Sequence, residues 1–265
     1  DIICRMKRYC HLHAKDFDSG RKEMDDKQNK APWYKRTFLW GQTNLTEDDP
    51  EKCDLDFWID YWKKTGVEGV IINCGGIVSY YKSRFTAQYK AKYLGDQDYF
   101  GLWKDAARQA GLAVVARMDI NATTETLYSS NPEWYCRDKE GNPYLSQGRY
   151  VACVNGGYYQ EFLPQVFQEI IENYHPDGFA DNSWAGMKRT DICYCENCRK
   201  KFREEYRMEL PEKEDWEDPV YRKWVRWNYQ LRIRNWHFFN KVTRKAGGED
   251  CRWFGMLTAD PFDTG

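Results

Sequence analysis

Apolar positions along the chain follow two periods in turn. An extended run at 37–42 (TFLWGQ) precedes a segment, 54–64, in which Phe57 and Tyr61, and likewise Trp58 and Trp62, fall four residues apart. That spacing stacks rings on one helical face, and Gly66 supplies a stop. The β-branched run at 67–74 (VEGVIINC) predicts a second strand, broken by Gly75-Gly76. Residues 98–110 predict a helix closed by Gly111, and 112–118 (LAVVARM) a third strand. A helix over 158–174 sets Phe162, Val166 and Ile170 on one face, and a fourth strand covers 178–182. A long helical region follows, with Val220, Trp224, Trp227, Leu231 and Phe238 close to helical period, and then a fifth strand at 252–258 (RWFGMLT). Residues 80–94 and 119–155 read as loops, and a loop as long as the first inside a compact domain is usually functional.

The rhythm of strand, helix, strand, helix predicts parallel strands joined by helical crossovers in one α/β domain over 33–265. Residues 1–32 are polar, charged and without period, an irregular lead-in. Two folds suit the rhythm, a doubly wound open sheet and a (β/α)8 TIM-barrel type. No G-x-G-x-x-G follows the first strand, so the pattern favours the barrel. A barrel needs eight strands and five are visible. The expectation is that this chain carries only the first five βα units. Its raw sheet edges would then be covered by further C-terminal chain, a second copy or another partner, or else would aggregate.

Charge is balanced, with 40 Lys+Arg against 41 Asp+Glu, which argues against nucleic acid as a partner. No apolar run approaches the roughly 20 residues of a membrane span. The N-terminal DIICRMKRYCHLH lacks a signal-peptide core. A soluble protein is expected, cytoplasmic or exported with its leader removed. Aromatic residues make up 17% of the chain, which suits either a thick aromatic core or sugar binding by flat ring faces. Asn44-Leu45-Thr46 and Asn121-Ala122-Thr123 fit the glycosylation pattern, a short match that arises often by chance. His11 and His13 could bind metal in H-x-H form, but they lie in the irregular lead-in with Cys10 and are read as carrying no site.

Ten cysteines are too few for a disulfide scaffold in 265 residues, but three of them fall within six positions. Cys193, Cys195 and Cys198 form C-x-C-x-x-C ahead of a basic, helix-like run. Thiolates so close in sequence can wrap one soft or borderline cation such as Zn²⁺, and a closed site needs a fourth ligand. Cys153, just before another predicted helix, is the candidate. A βα repeat brings it near the other three, giving a structural Zn²⁺ with Zn–S of about 2.3 Å and no open position for water. The competing reading is a Cys193–Cys198 disulfide with Cys153 buried and free.

These cysteines carry a resemblance. Cys153-Val154-Asn155, Asp181-Asn182 and the C-x-C-x-x-C resemble the family-forty-two β-galactosidases, which place a lone cysteine after strand three, Asp-Asn-Glu at the end of strand four, and then the same cysteine motif. Their acid/base Glu falls here at Ser183. WYKRTFLW and DGFADNSWAG resemble more closely a group of hypothetical glycosyl hydrolases, family six, which also lacks that Glu. The resemblance runs from about Trp33 to the end. It implies a TIM barrel and a glycoside hydrolase, β-galactosidase- or fucosidase-like, with a carbohydrate substrate. It also implies that Asn182 points inward to bind a sugar hydroxyl, leaving Asp181 toward the helices as a loop or cap residue.

Barrel sites lie at the C-terminal ends of strands. Polar candidates there are Asn73, Arg117, Asp119, Asp181, Asn182, Ser183 and Asp260. Alternation puts Arg117 and Asp119 on one face, either as a substrate pair or as a salt bridge closing the rim. Trp184 suits stacking on a sugar ring or a place in the core. Glycoside hydrolysis requires two carboxyls about one bond, and Asp119 with Asp181 is the best pair the chain offers. In the resembling β-galactosidases the nucleophile comes from strand seven, which this chain does not reach. The function expected is therefore hydrolysis of glycosidic bonds in oligo- or polysaccharides, retaining or inverting. The alternatives are a carbohydrate-binding pseudoenzyme, since Ser183 removes the proton donor, and a zinc-stabilised structural module of a larger assembly.

Overall fold

The structure, a computed structural model, describes residues 31–181 and 186–255, divided between units 1–38 and 39–265. In the first unit, one helical turn, α1 (Trp33–Arg36), is described. The second unit is built on a five-stranded parallel sheet. Its strands are β1 (Trp40–Gln42), β2 (Gly69–Gly76), β3 (Ala113–Asp119), β7 (Gly178–Asp181) and β8 (Arg252–Gly255), adjacent in chain order. The helices between them are α2 (Asp49–Lys52), α3 (Leu55–Thr65), α4 (Tyr99–Gln109), α6 (Leu163–Tyr174), α7 (Glu196–Tyr206) and α8 (Pro219–Gly247).

Local chemistry sets the helix ends. Asp54 accepts from Phe57 N at 3.0 Å to start α3, and Gly66 closes it at φ +67°. Asp98 caps α4 through Gly101 N at 3.0 Å, and Asp218 caps α8 through Val220 N at 2.8 Å. A π-helical turn at Tyr158–Phe162 leads into α6.

β2 runs on through the Gly75-Gly76 pair that the pattern read as a break. A bulge at Cys74 shifts the register, and Gly76, at φ +101°, lies so close to β3 that a Cβ would sit 2.1 Å from the Asp119 carbonyl. β1 is shorter than the predicted run because its pairing with β2 begins at Trp40.

One face of the sheet packs against helices. Val70, Ile72, Cys74, Val114, Ala116, Met118, Phe179 and Trp253 lie in a single buried cluster with Trp62, Trp103, Phe167 and Phe239. Ring contacts knit it together: Trp62–Trp103 at 5.6 Å, Phe167–Trp253 at 4.9 Å and Phe239–Trp253 at 4.8 Å. The other face is concave. Five flat strands would put the first and fifth roughly 19 Å apart at about 4.8 Å per step. Yet the Trp40 and Phe254 rings, from those two strands, approach to 6.2 Å.

The loop after β3 carries structure that the sequence pattern did not show. A second sheet pairs β4 (Ala122–Thr123), β6 (Arg149–Val151) and β5 (Leu145–Ser146) antiparallel, beside the short helix α5 (Glu125–Ser130). The aromatic loop after β2 turns inward. Tyr80, Tyr81, Ala91 and Leu94 are buried. Glu169 of α6, 2% exposed, accepts from Tyr81 Oη and Ser83 Oγ, each at 2.7 Å, and from the Arg84 amide.

Replacing Glu169 with Leu strands these donors. The expected loss is about 3 kcal/mol of unfolding free energy, from roughly 1–3 kcal/mol per buried unsatisfied group. Denaturant titration measures it, and hydrogen exchange should show faster exchange of the amides of residues 79–91.

Candidate functional site

The C-terminal ends of β1, β2 and β3 converge on the concave face. Register aligns Asn73 with Arg117, and Arg117 with Ala180. Asn73 Oδ1 accepts from Thr43 Oγ1 at 3.0 Å and from Leu45 N at 3.2 Å, while Asn73 N donates to Thr43 Oγ1 at 3.1 Å. Arg117 donates to the Thr43 carbonyl at 2.8 Å, to Asn44 Oδ1, and through Nε to Asp119 Oδ1 at 3.1 Å. The guanidinium is buried, at 8% exposure, whereas the Asp119 carboxylate stays 26% exposed. One side of the network is thus locked into the sheet and the other is open to solvent. Thr43 and Asn44 escaped the sequence reading, and their only signal was their place directly after a strand. Asn44 also opens the first glycosylation pattern. Thr123, in the second pattern, is buried and hydrogen-bonded to Tyr135 Oη at 2.6 Å.

Asp119 and Asp181 are not brought together on that face. Asp181 is in register with Met118, so it leaves the sheet on the side of Met118 and Phe179, toward the helices. Its charge acts there on two tyrosines. Burial, Tyr135 and Asp181 push the Tyr158 hydroxyl up, and burial with Asp181 does the same to Tyr159. The positions of Asn182, Ser183, Trp184 and Asp260 lie outside the described residues, as do His11 and His13.

The second constellation is the cysteine cluster. Cys153, Cys193, Cys195 and Cys198 are all buried, with their Sγ atoms within 4.8 Å of one another. Cys153 Sγ lies 3.4 Å from Cys195, 3.5 Å from Cys198 and 4.0 Å from Cys193. A thiolate tetrahedron on zinc has edges of about 3.8 Å, given a bond of about 2.3 Å. The four sulfurs therefore fit one metal ion. All four thiols are free, which excludes the Cys193–Cys198 disulfide here.

Local structure builds this cluster from both sides. The turn carrying Cys153 runs beneath Trp134, where a Cβ on Gly156 would lie 2.4 Å from the Trp134 carbonyl and one on Gly157 2.3 Å from its indole nitrogen. Cys153 N donates to that same carbonyl at 2.9 Å. Cys195 is the N-cap of α7 and Cys198 lies in its first turn, so the positive end of the helix faces the sulfurs. Asn155 donates to Cys198 Sγ through Nδ2 at 3.3 Å and to Cys153 Sγ through its amide at 3.4 Å. Hydrogen bonds from Cys136 and Cys153 pull the Cys193 thiol well down, and the bond to Cys153 pushes Cys198 up. Arg232, buried beside Cys136 and Cys153, is lowered to about 10 by burial and stays protonated at neutral pH. Cys136, a fifth thiol at the cluster's edge, had no spacing signal.

Residues 54–183, just under half of the chain, match the model of a family described as hypothetical glycosyl hydrolase 6. The match takes in Asn73, Arg117, Asp119, Cys153 and Asp181 and stops short of the C-x-C-x-x-C. No curated protein matches the chain in sequence. Among solved structures, α-L-fucosidase isoenzyme 2 of Paenibacillus thiaminolyticus is similar at TM-score 0.64 and 15% identity, over 83% of this chain and 32% of that one. The glycoside hydrolase domain of PgaB from Bordetella bronchiseptica gives 0.61 and 15%, over 84% of this chain and 66% of that one. A GH42 β-galactosidase of G. stearothermophilus gives 0.57 and 15%, over 86% of this chain and 36% of that one. The chain thus spans about a third of the fucosidase and of the β-galactosidase. What these likenesses establish is a parallel α/β fold shared with glycoside hydrolases. No helix among the described residues is long and apolar enough to cross a membrane.

The geometry of the cluster predicts one equivalent of a thiophilic metal per chain, detectable by elemental analysis of protein purified without added metal. Cys153→Ser and Cys195→Ser should each release it to a colorimetric chelator at least about tenfold faster and lower Tm, because four-thiolate sites supply folding energy.

Proposed function

We propose that the chain supplies five βα units of a glycoside hydrolase-like (β/α)8 barrel, with sugar binding and catalysis at their strand ends. The observation that carries this reading is the hydrogen-bonded set at the ends of β1–β3, namely Asn73, Thr43, Asn44, Arg117 and Asp119. It stands on the concave face of a sheet whose fold is shared with glycoside hydrolases. Strand ends are where parallel barrels place their chemistry. Arg117 holds the Asp119 carboxylate in one orientation, with its exposed side toward the cleft, where it can accept a sugar hydroxyl or serve a glycosidic bond as acid, base or nucleophile. Asn73 and Arg117 orient the sugar-binding surface. Asn182, Ser183 and Trp184 are proposed, on the sequence pattern alone, as further sugar contacts.

The metal in this reading is zinc, held by Cys153, Cys193, Cys195 and Cys198. Four thiolates leave no open position, so it supplies a structural crosslink between the loops after β3 and β7 and no activated water. Asp181, directed toward the helices, is proposed as the carboxylate that fixes the end of β7 and not as the partner of Asp119.

A second reading, a carbohydrate-binding pseudoenzyme, is favoured by that same divergence. Hydrolysis takes two carboxyls about one bond, and the described residues put Asp119 alone of this pair on the concave face.

Hydrolysis of a panel of aryl glycosides and oligosaccharides, read beside binding on the same glycans, separates the two readings. Under the first, Asp119→Asn lowers kcat by on the order of 10²–10⁴-fold while sugar binding persists, and Asp181→Asn leaves kcat within about threefold if the fold is kept. Saturable binding without turnover supports the second reading. Neither binding nor turnover on any glycan sinks both.

A further inference from the structure

A divalent ion held by four thiolates is not neutral, because four anionic sulfurs leave two net negative charges on the complex. Around Cys153, Cys193, Cys195 and Cys198 that charge would stand in a core with Phe202, Trp224, Trp227 and Leu231 among its members. A buried charge is costly unless it is paired. The N–H groups of Asn155 and the start of α7 supply partial charges only. Asp191, on the wall of the void beside these sulfurs, adds a further negative charge.

Arg232 brings a full cation to this place. From the middle of α8 it reaches that void, about 20 Å³ in volume, whose walls include Cys136, Cys153, Cys193 and Cys198. Its Nε is buried. Burial lowers the guanidinium most, Cys136, Tyr159 and Cys153 raise it, and Arg189 lowers it further.

The guanidinium is fixed by neutral oxygens. Nη1 donates to the Asn228 carbonyl at 3.0 Å and to Asn228 Oδ1, and Nη2 donates to the Met187 carbonyl at 2.5 Å. Asn228 is itself held, since its Nδ2 donates to the Arg189 carbonyl at 2.8 Å. Gly186, at φ +79°, lets the loop lie close, where a Cβ would stand 3.1 Å from Val154 Cγ2 and 3.4 Å from Arg232 Nη2. These bonds orient the cation without cancelling its charge.

We propose that Arg232 is the built-in counter-cation of the metal–thiolate cluster, a positioning residue that acts through the cysteines and favours a divalent thiophilic ion. The proposal rests on reading the four cysteines as a metal site. It does not depend on the sugar chemistry of the strand-end face. With the metal bound, Arg232 faces a negative complex. With the metal removed it faces neutral thiols, and the same buried cation becomes a liability.

The test is competition for Zn²⁺ between the full chain and a chromogenic chelator, for the parent and for Arg232→Lys, Arg232→Gln and Arg232→Met. Gln and Met should weaken zinc binding by about 10–100-fold, the range for outer-shell substitutions at metal sites. Lys keeps the charge and should lose least. Arg232→Met should also lower Tm of the zinc-loaded chain more than that of the chelated chain. Should Arg232→Met fail to fold, Arg232→Gln takes its place in the Tm comparison, and the ranking of Lys above Gln decides alone. A residue that acted only by bonding Asn228 and Met187 would lower Tm equally in both forms, and Gln, a neutral donor, would replace it at least as well as Lys. The proposal is overturned if all four proteins hold zinc equally, if Lys is no better than Gln, or if the Tm loss is the same with and without zinc. A parent chain that binds no zinc overturns the metal reading as well, whereas equal binding in all four overturns the role of Arg232 alone.

Discussion

Four sulfur atoms held within 4.8 Å of one another inside a core are the constraint on which the second half of this structure depends. Thiols have little reason to crowd together for packing alone, and thiolates would repel. Four sulfurs so placed could hold one cation, and the backbone on both sides is shaped to bring them together. The cluster ties the loop after β3 to the loop after β7 and seats both against α7 and the first half of α8. A separate buried core surrounds it, with Phe202, Trp224, Trp227 and Leu231 among its members. Three of the cysteines lie in one tight turn and close a short loop, and the fourth closes a longer one. Loop-closure entropy rises only slowly with length, so the distant Cys153 adds little to the cost.

The other organising element is the aromatic layer between sheet and helices. Trp62, Trp103, Phe167, Phe239 and Trp253 are bulky enough to fix the helices at a set distance from the strands. On the opposite face, Gly178 and Ala180 of β7 are small, Val115 is compact, and the sheet curls until Trp40 and Phe254 meet. Curvature gathers the strand ends. There Arg117 reaches across β2 to the Thr43 carbonyl and joins the set that Thr43 and Asn73 form. The abundance of aromatic residues is thus accounted for largely by the core.

Between these two systems lies the loop after β2, anchored by a buried carboxylate. Glu169 gathers two hydroxyls and a backbone amide, and Tyr174, on the same helix, reaches Asp98 at 2.9 Å. The loop therefore behaves as part of the scaffold. Length and aromatic content suggested a working loop, but Tyr81 is directed inward by Glu169, 88 residues away, and Tyr80 by the Leu45 carbonyl, 35 residues away.

The sequence by itself determined the order of the five parallel strands and the main helices between them, the parallel α/β class and the four cysteines. Those signals are local: a period of two or 3.6, a cap residue, a glycine stop, three thiols in one turn. Strand alternation left the facing of Asp181 open, with only the resemblance to set it toward the helices, and the tertiary structure decided which carboxylate faces the cleft. Asp119 and Asp181 both end a strand in polar surroundings, and single-strand alternation does not say which side of a sheet is which. Register does, because Met118 pairs with Asp181 and Arg117 with Ala180. Thr43, Asn44, Cys136 and Glu169 were hidden for the same reason. Each acquires its role from a neighbour distant in sequence, and such neighbours are chosen by how the sheet curls and which helix face packs against it, quantities that no local pattern encodes.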